Sequence, residues 1–375
     1  METNPKTYQC AIVGGGLAGL CLAIQLADKG ISVILFEKNT YPFHKVCGEY
    51  ISMESWNFLN ELGLPLEELN LPRINELGIS SESGFMLNTL LPLGGFGISR
   101  YSLDNYLCEI ARKKNVNVIE NCKVFDVHKT DENGSEINTS SGIYHAAIVC
   151  GTYGKYTPAF VNKETKSTTL NYIGVKYHIK TNLNPNRIEL HNFKDGYCGV
   201  SKVDGDAYCL CYLTTSVNLE KSGNDIKKME ENILYKNPFL ATYFTQSEFL
   251  FKSPLVISNI SFRKKDTYKN AVFLAGDAAG SITPLCGNGM SMAMRTSKLL
   301  AQLLVDYYTK SISKEELIDK YNIAWNKNFN TRIKSGYYLQ HLFGKKRTTD
   351  VTLRLLDKLP SLTKKIISLT HGEPF

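Results

Sequence analysis

Tyr8–Val13 reads YQCAIV and runs directly into Gly14-Gly15-Gly16-Leu17-Ala18-Gly19. A helical apolar pattern follows over Leu20–Lys29 and stops at Gly30. Ile31–Phe36 (ISVILF) is a second apolar run, and it ends at Glu37. This order predicts a buried strand, a tight turn, a helix and a second buried strand. Each glycine has a task. Gly14 permits the turn, Gly16 lets backbone approach a pyrophosphate, and Gly19 lets the helix lie close to the strand. The helix N-terminus offers unpaired N–H groups and a partial positive charge. Glu37 stands where a carboxylate can accept from both hydroxyls of a ribose. The stretch implies a dinucleotide site. The acid argues against a 2′-phosphate, so FAD or NAD fits better than NADP.

A second stretch, Ala271–Leu304, separates those two. Ala271–Ala275 reads as a buried strand, Gly276-Asp277 follows, and a long apolar helix begins near Gly289. Pro284 and the Gly287-Asn288-Gly289 turn hold the chain close to something bulky just before that helix. A simple NAD dehydrogenase has no use for such an element so far downstream.

Together with the Arg100–Leu107 segment (RYSLDNYL), these motifs resemble flavoproteins of the para-hydroxybenzoate hydroxylase fold. The nearest likeness within it is to the geranylgeranyl reductase-like proteins. The resemblance spans about Tyr8 to Leu304. It implies an α/β chain: a Rossmann-type FAD-binding domain, an antiparallel-sheet substrate domain and C-terminal helices. The expected division is 1–73, 98–160 and 265–310 for FAD, 74–97 and 161–264 for substrate, and 311–375 for the helical region.

The resemblance implies FAD contacts from Gly14, Gly16, Leu17, Ala18, Gly19, Glu37, Lys38, Lys45, Cys47, Gly48, Arg100 and Val124. From the far segment it adds Gly276, Asp277, Pro284, Gly287, Asn288, Gly289 and Met290. Asp277 would accept from a ribityl hydroxyl, and Arg100 would lie near the phosphates or the ribityl chain. The backbone around Gly287–Met290 would face the flavin pyrimidine end. The Lys45-Val46-Cys47-Gly48 segment is similar to a Lys-x-Cys-Gly loop beside the flavin in the reductases. In that loop Cys47 is a candidate redox or acid group, and Glu49 or His44 a candidate proton carrier. No metal is expected. One departure stands out. The hydroxylases carry an Asp-Gly pair after the strand that ends here at Cys150, where this chain has Cys150-Gly151-Thr152-Tyr153-Gly154-Lys155; this departure counts against direct reduction by NADPH, though Gly154 and Lys155 can still serve a phosphate.

The remaining sequence bounds the class. Of 375 residues 43% are apolar and 21% charged, enough for a substantial core. The net charge of +7 permits anionic ligands or an acidic membrane surface, and no nucleic-acid motif accompanies it. No apolar run is long enough to span a bilayer, and no signal peptide is expected. The ten cysteines form no CxxC pair, so a reducing cytoplasm is expected. Four strand-like runs over Asn171–Thr215 predict an antiparallel roof over the flavin. Phe193, Tyr197, Tyr208 and Tyr212 are candidates to line an aromatic or lipidic pocket there, and Cys209 and Cys211 are expected to pack in its core. Halogenation is disfavoured, because the two tryptophans, Trp56 and Trp325, form no Trp-x-Trp motif. Val351–Ile367 predicts a helix with an apolar side of Val351, Leu355, Leu356, Leu359 and Leu362 among basic residues. It fits either a cap on the FAD domain or contact with an anionic membrane.

The expected function is FAD-dependent oxidation–reduction of a hydrophobic small molecule, lipidic, isoprenoid or aromatic, with NAD(P)H as a candidate donor. The chemistry is hydride transfer to a double bond or flavin-hydroperoxide hydroxylation. The alternative is a flavoprotein that binds FAD or a partner without turnover. Glu37→Ala and Asp277→Ala should each remove a charge-assisted hydrogen bond worth about 1.5–3 kcal/mol. FAD titration by flavin fluorescence should then show roughly tenfold to hundredfold weaker binding.

Overall fold

The computed structural model describes residues 7–130, 134–162, 171–260, 264–283, 287–369 and 372–375. β1 (Thr7–Val13), α1 (Leu17–Ala27) and β2 (Val33–Phe36) form the opening βαβ unit. Next come β3 (Tyr50–Ser52), α2 (Trp56–Glu61), β4 (Arg73–Ser80), β5 (Met86–Gly97) and α3 (Arg100–Lys113). Four strands follow: β6 (Asn117–Ile119), β7 (Val124–Lys129), β8 (Ser135–Thr139) and β9 (Gly142–Gly151). The roof runs are β10 (Tyr172–Lys180), β11 (Arg187–Phe193), β12 (Gly196–Lys202) and β13 (Tyr208–Thr215). Helices α4 (Ser216–Lys221), α5 (Ile226–Ile233) and α6 (Pro238–Gln246) cover them. Short strands β14 (Glu248–Phe249), β15 (Leu255–Ile260), β16 (Tyr268–Lys269) and β17 (Val272–Leu274) lead to α7 (Gly289–Tyr308). The chain closes with α8 (Lys314–Leu342), α9 (Lys346–Asp357) and α10 (Pro360–Ser368).

Two sheets organise these elements. The first runs β16-β17-β9-β1-β2-β6, with parallel pairs from β17 to β6 and the β7–β8 meander attached at β9. Strands buried on both faces must be apolar throughout, and β2 (VILF) is buried at every position. Helix α1 packs on this sheet between α3 and α7, and so it too is buried nearly all round.

The second sheet runs β14-β10-β13-β12-β11-β4-β5-β3. It is antiparallel except where β11 meets β4 in parallel register. Its two faces differ. The side chains of Val175, Tyr177, Ile179, Val200, Leu210 and Tyr212 pack beneath α5 and α6. Phe193 and Tyr208 belong to this back cluster as well, so three of the four aromatics read as pocket-lining point away from it. Alternation explains why: they lie on the opposite side of their strands from Cys209 and Cys211. Tyr197 instead joins Leu213 and Ile260.

The expected continuous helix over Val351–Ile367 is broken. Leu359, preceding Pro360, leaves the helical region, and α10 restarts with the proline in its first turn. Both helices dock on β5. Among the described residues no helix is long and apolar enough to cross a membrane.

The back cluster contains one acid. Tyr177 and Tyr212 donate to Glu230 Oε1 at 3.0 and 2.7 Å. Burial outweighs these bonds and pushes the Glu230 carboxyl up to about 7. Between 4.5 and about 7 the folded chain therefore holds more proton at this site than the unfolded chain, and stability falls as pH rises through that window. Glu230→Gln should flatten this fall in a pH series of urea unfolding curves.

Candidate active site

The glycine turn is built by close approach. Gly14 has φ +110, and a Cβ there would lie 2.7 Å from the Thr152 carbonyl oxygen. Thr152 donates its N–H to the Val13 carbonyl at 2.8 Å and its hydroxyl to the Gly14 carbonyl at 2.6 Å. Thr152, in the stretch that departs from the hydroxylases, thus braces the turn. A Cβ on Gly19 would strike the Gly14 oxygen at 2.1 Å, so α1 begins in direct contact with it. Gly16 differs. Its nearest neighbours on that side are Lys45 Nζ at 3.6 Å and Arg100 Nη2 at 3.7 Å, leaving an opening faced by two cations. Leu17 and Ala18 form the buried first turn of α1, whose N-cap has no side-chain partner.

Those cations are held by one acid. Arg100 forks onto Asp104 with both bonds at 2.7 Å, and Lys45 Nζ lies 3.1 Å from the same carboxylate. Burial alone would raise the Asp104 pKa, but Arg100 and Lys45 hold it below the usual range. Two cations against one anion leave a net positive charge toward the Gly16 opening, as a pyrophosphate requires. Glu37 is buried. Its carboxylate accepts from Gly15 N at 2.9 Å, Asn39 N at 3.0 Å and Asn39 Nδ2 at 2.8 Å. That leaves some acceptor capacity for a ribose. Lys38 is exposed next to it, and the Glu37 carbonyl accepts from Cys122 N at 2.8 Å, which brings the chain leading to Val124 alongside.

The far segment arrives at the same place. A Cβ on Gly276 would lie 3.0 Å from Ala18 Cβ, so the two distant stretches touch. Asp277 is half-buried, and among the described residues its carboxylate has no hydrogen-bond partner. It lines a shallow recess with Thr296 and Trp325. Gly287 (φ +63) would place a Cβ 3.4 Å from the Tyr50 ring. Asn288 stands at the N-cap position of α7 without a side-chain capping bond, and Gly289 and Met290 form the first turn. Pro284 lies outside the described residues. The cationic opening, the unengaged carboxylate and the glycine corner against Tyr50 fit an extended dinucleotide with a ring system at its far end.

Between these ends lies the loop of His44–Glu49. Cys47 is half-buried and Gly48 exposed, whereas Glu49 is fully buried with φ +56. Glu49 Oε1 accepts from Lys176 Nζ at 2.5 Å and from Arg100 N at 2.7 Å. Its Oε2 lies 2.6 Å from His178 Nε2. Burial would raise the Glu49 pKa, but the His178 bond and the Lys176 charge hold it below the usual range. Glu49 is thus an ion-paired carboxylate rather than a free acid. Lys176 Nζ also donates to the Lys45 carbonyl at 3.2 Å, and Cys209 Sγ to the Cys47 carbonyl at 3.2 Å. Cys209 therefore pins the loop as well as filling space. Glu49, His178 and Cys209 present ligand atoms within 4.8 Å of one another. Lys176 already supplies the positive charge a metal would bring, so the cluster is complete without one. His44 stacks on Tyr101 at 4.7 Å between ring centres and lies 5.2 Å from His178. Burial, then Lys176 and His178, lower its pKa.

Sequence reasoning missed Asp104, Lys176 and His178. Signals existed: Asp104 lies one helical turn from Arg100, and Lys176 and His178 alternate with Val175, Tyr177 and Ile179 in one strand.

Known proteins match this arrangement. Residues 11–180 match the family model "Pyridine nucleotide-disulphide oxidoreductase", and residues 237–327 match "FAD binding domain". The structure superposes on a flavoprotein/dehydrogenase from Cytophaga hutchinsonii with TM-score 0.80, covering 97% of this chain and 92% of that one at 18% identity. This chain is an FAD-dependent oxidoreductase of the para-hydroxybenzoate hydroxylase-like fold.

Relatives of the oxidoreductase differ in activity. Conditioned medium factor receptor 1 of Dictyostelium discoideum is 24% identical over 87% of this chain and 69% of its own. Kynurenine 3-monooxygenase of Flavobacterium psychrophilum is 23% identical over 80% and 73%. Digeranylgeranylglycerophospholipid reductase of Methanococcus vannielii is 19% identical over 87% and 84%. The flavin-dependent brominase Bmp2 superposes with TM-score 0.80 over 97% and 93% at 17% identity, which shows a shared fold only.

Lys176→Met should leave the Glu49 carboxylate buried without its cation, destabilising the oxidoreductase by roughly 3–5 kcal/mol in chemical denaturation. Adding Glu49→Gln should restore a large part of that loss.

Proposed function

We propose that the oxidoreductase reduces a carbon–carbon double bond of a hydrophobic, lipidic or isoprenoid molecule in the cytoplasm, with NAD(P)H as electron donor. Bound FAD supplies the two-electron chemistry. The observation that carries the reading is the face the roof sheet turns toward the His44–Glu49 loop. On it lie Ile79, Leu190, Gly199 and Cys211, aligned by register, with Lys176 and His178 beyond. Gly199 leaves space there: a Cβ would meet only Leu190 at 3.5 Å and the Cys211 oxygen at 3.9 Å. An apolar face bordered by a few proton-bearing groups suits an unsaturated hydrocarbon.

The chain's residues divide the work. Arg100, Lys45 and the α1 N-terminus hold the pyrophosphate, Glu37 the ribose and Asp277 the ribityl chain. The ion-paired Glu49 fixes the loop against the roof and excludes water. Cys47 at the loop and His178 behind it can carry the proton that must reach the second carbon of the double bond. Support for a lipid comes from the Methanococcus vannielii reductase, whose name states such a substrate. The kynurenine monooxygenase relative favours hydroxylation as the second reading.

The test is anaerobic. The protein is reduced with NADPH or NADH, and an unsaturated isoprenoid lipid is added. Return of the yellow colour without oxygen, with a saturated product by mass spectrometry, supports the reading. Colour that returns only with oxygen, with a hydroxylated product, overturns it. Gly199→Phe should crowd this face and reduce turnover at least tenfold while FAD content stays unchanged.

A further inference from the structure

We propose that α9 and α10 form a docking surface for an anionic lipid bilayer, deepening the lipid reading above by naming where the protein meets its substrate's phase. Helix α9 buries Thr349, Leu353 and Leu356 against the β5 region. Its opposite side carries Arg347, Val351, Leu355 and Lys358 at helical spacing. Val351 is 66% exposed and Leu355 54%. The strip continues through Leu359, Leu362 and Leu369, all exposed. Of the apolar side read from the sequence, only Leu356 faces the protein. A helix already anchored on one side has no folding reason to keep leucines on the other.

The charges decide the occupant. Arg347, Lys358, Lys364 and Lys365 are exposed along or beside the strip. Asp350, the acid within α9 nearest Arg354, is committed to it at 2.8 Å. Protein interfaces are depleted of lysine at their centres. Leucines set among lysines and arginines instead match the boundary between anionic headgroups and acyl chains.

The surface also connects inward. On α10, Ile367 packs against the cluster of Tyr50, Ile74, Leu77, Leu91 and Ile188. The Tyr50 ring in turn borders Gly287, at the flavin end of the cofactor groove. An apolar series of packed side chains therefore connects the docking strip to the flavin end of the groove.

The experiment is co-sedimentation of the full-length, FAD-loaded protein with vesicles of phosphatidylcholine, with or without 30 mol% phosphatidylglycerol. It needs no turnover, so it fails independently of the reductase reading. The wild type is expected to sediment with the anionic vesicles and to be released by high salt. Lys364→Gln with Lys365→Gln removes two surface charges, each worth about fivefold, and should weaken binding roughly thirtyfold. Leu355→Ser with Leu359→Ser should weaken it at any salt concentration. Retained flavin absorbance and helical circular dichroism confirm that each variant is folded. Equal affinity for both vesicle types, or lysine variants that bind as tightly as wild type, would overturn the proposal. So would a wild-type dimer in light scattering that the leucine variant splits, with no vesicle binding by either form.

Discussion

A carboxylate with no exposed atom must be compensated where it lies, and the placing of Glu49 follows from that constraint. Lys176, His178 and the Arg100 amide supply the compensation, from a strand of the roof sheet and from the start of α3. The same contact joins the nucleotide-binding half to the roof and fixes the loop that carries Lys45 and Cys47. Three separate parts of the chain thus meet at one charge. A left-handed backbone at a residue other than glycine is unfavourable, and Glu49 adopts it because its side chain is held from several directions.

The second organising contact is steric. Gly14, Gly19 and Gly276 each sit where a side chain would collide with a neighbour. Two of these approaches lock the turn to α1 and to the 151–154 segment, and the third brings a strand from late in the chain onto the first turn of α1. Gly16 is the exception, since it opens toward cations rather than toward packed backbone. One glycine motif therefore serves both packing and ligand access, and the structure separates the two uses.

Much of this was legible in sequence because it depends on local chemistry. The βαβ opening, the acid ending β2, the Gly276-Asp277 corner and the start of α7 at Gly289 all follow from spacing and residue type. The four strand-like runs expected over Asn171–Thr215 are the strands β10 to β13. Partners set by tertiary register were harder to read. Whether Tyr212 or Cys211 faces the cofactor side depends on which face of β13 the helices cover, and no local pattern states that. The two bonds from Thr152 to the glycine turn depend on tertiary contact and leave no mark in the local sequence. The Val351–Leu362 apolar side was legible as composition, but not which of its leucines would be anchored.

Strand β10 is covered on both faces, so apolar alternation alone does not define its alignment. Sliding it by one position would carry Tyr177 toward Glu49 and thrust Lys176 into the aromatic cluster around Glu230. Both networks would break together: Glu49 would lose its buried cation, and Glu230 would lose the Tyr177 hydroxyl. The register of this strand is therefore set by electrostatic matching, with one correct answer enforced from two sides. Charges that look like a liability in a buried strand act as its alignment key.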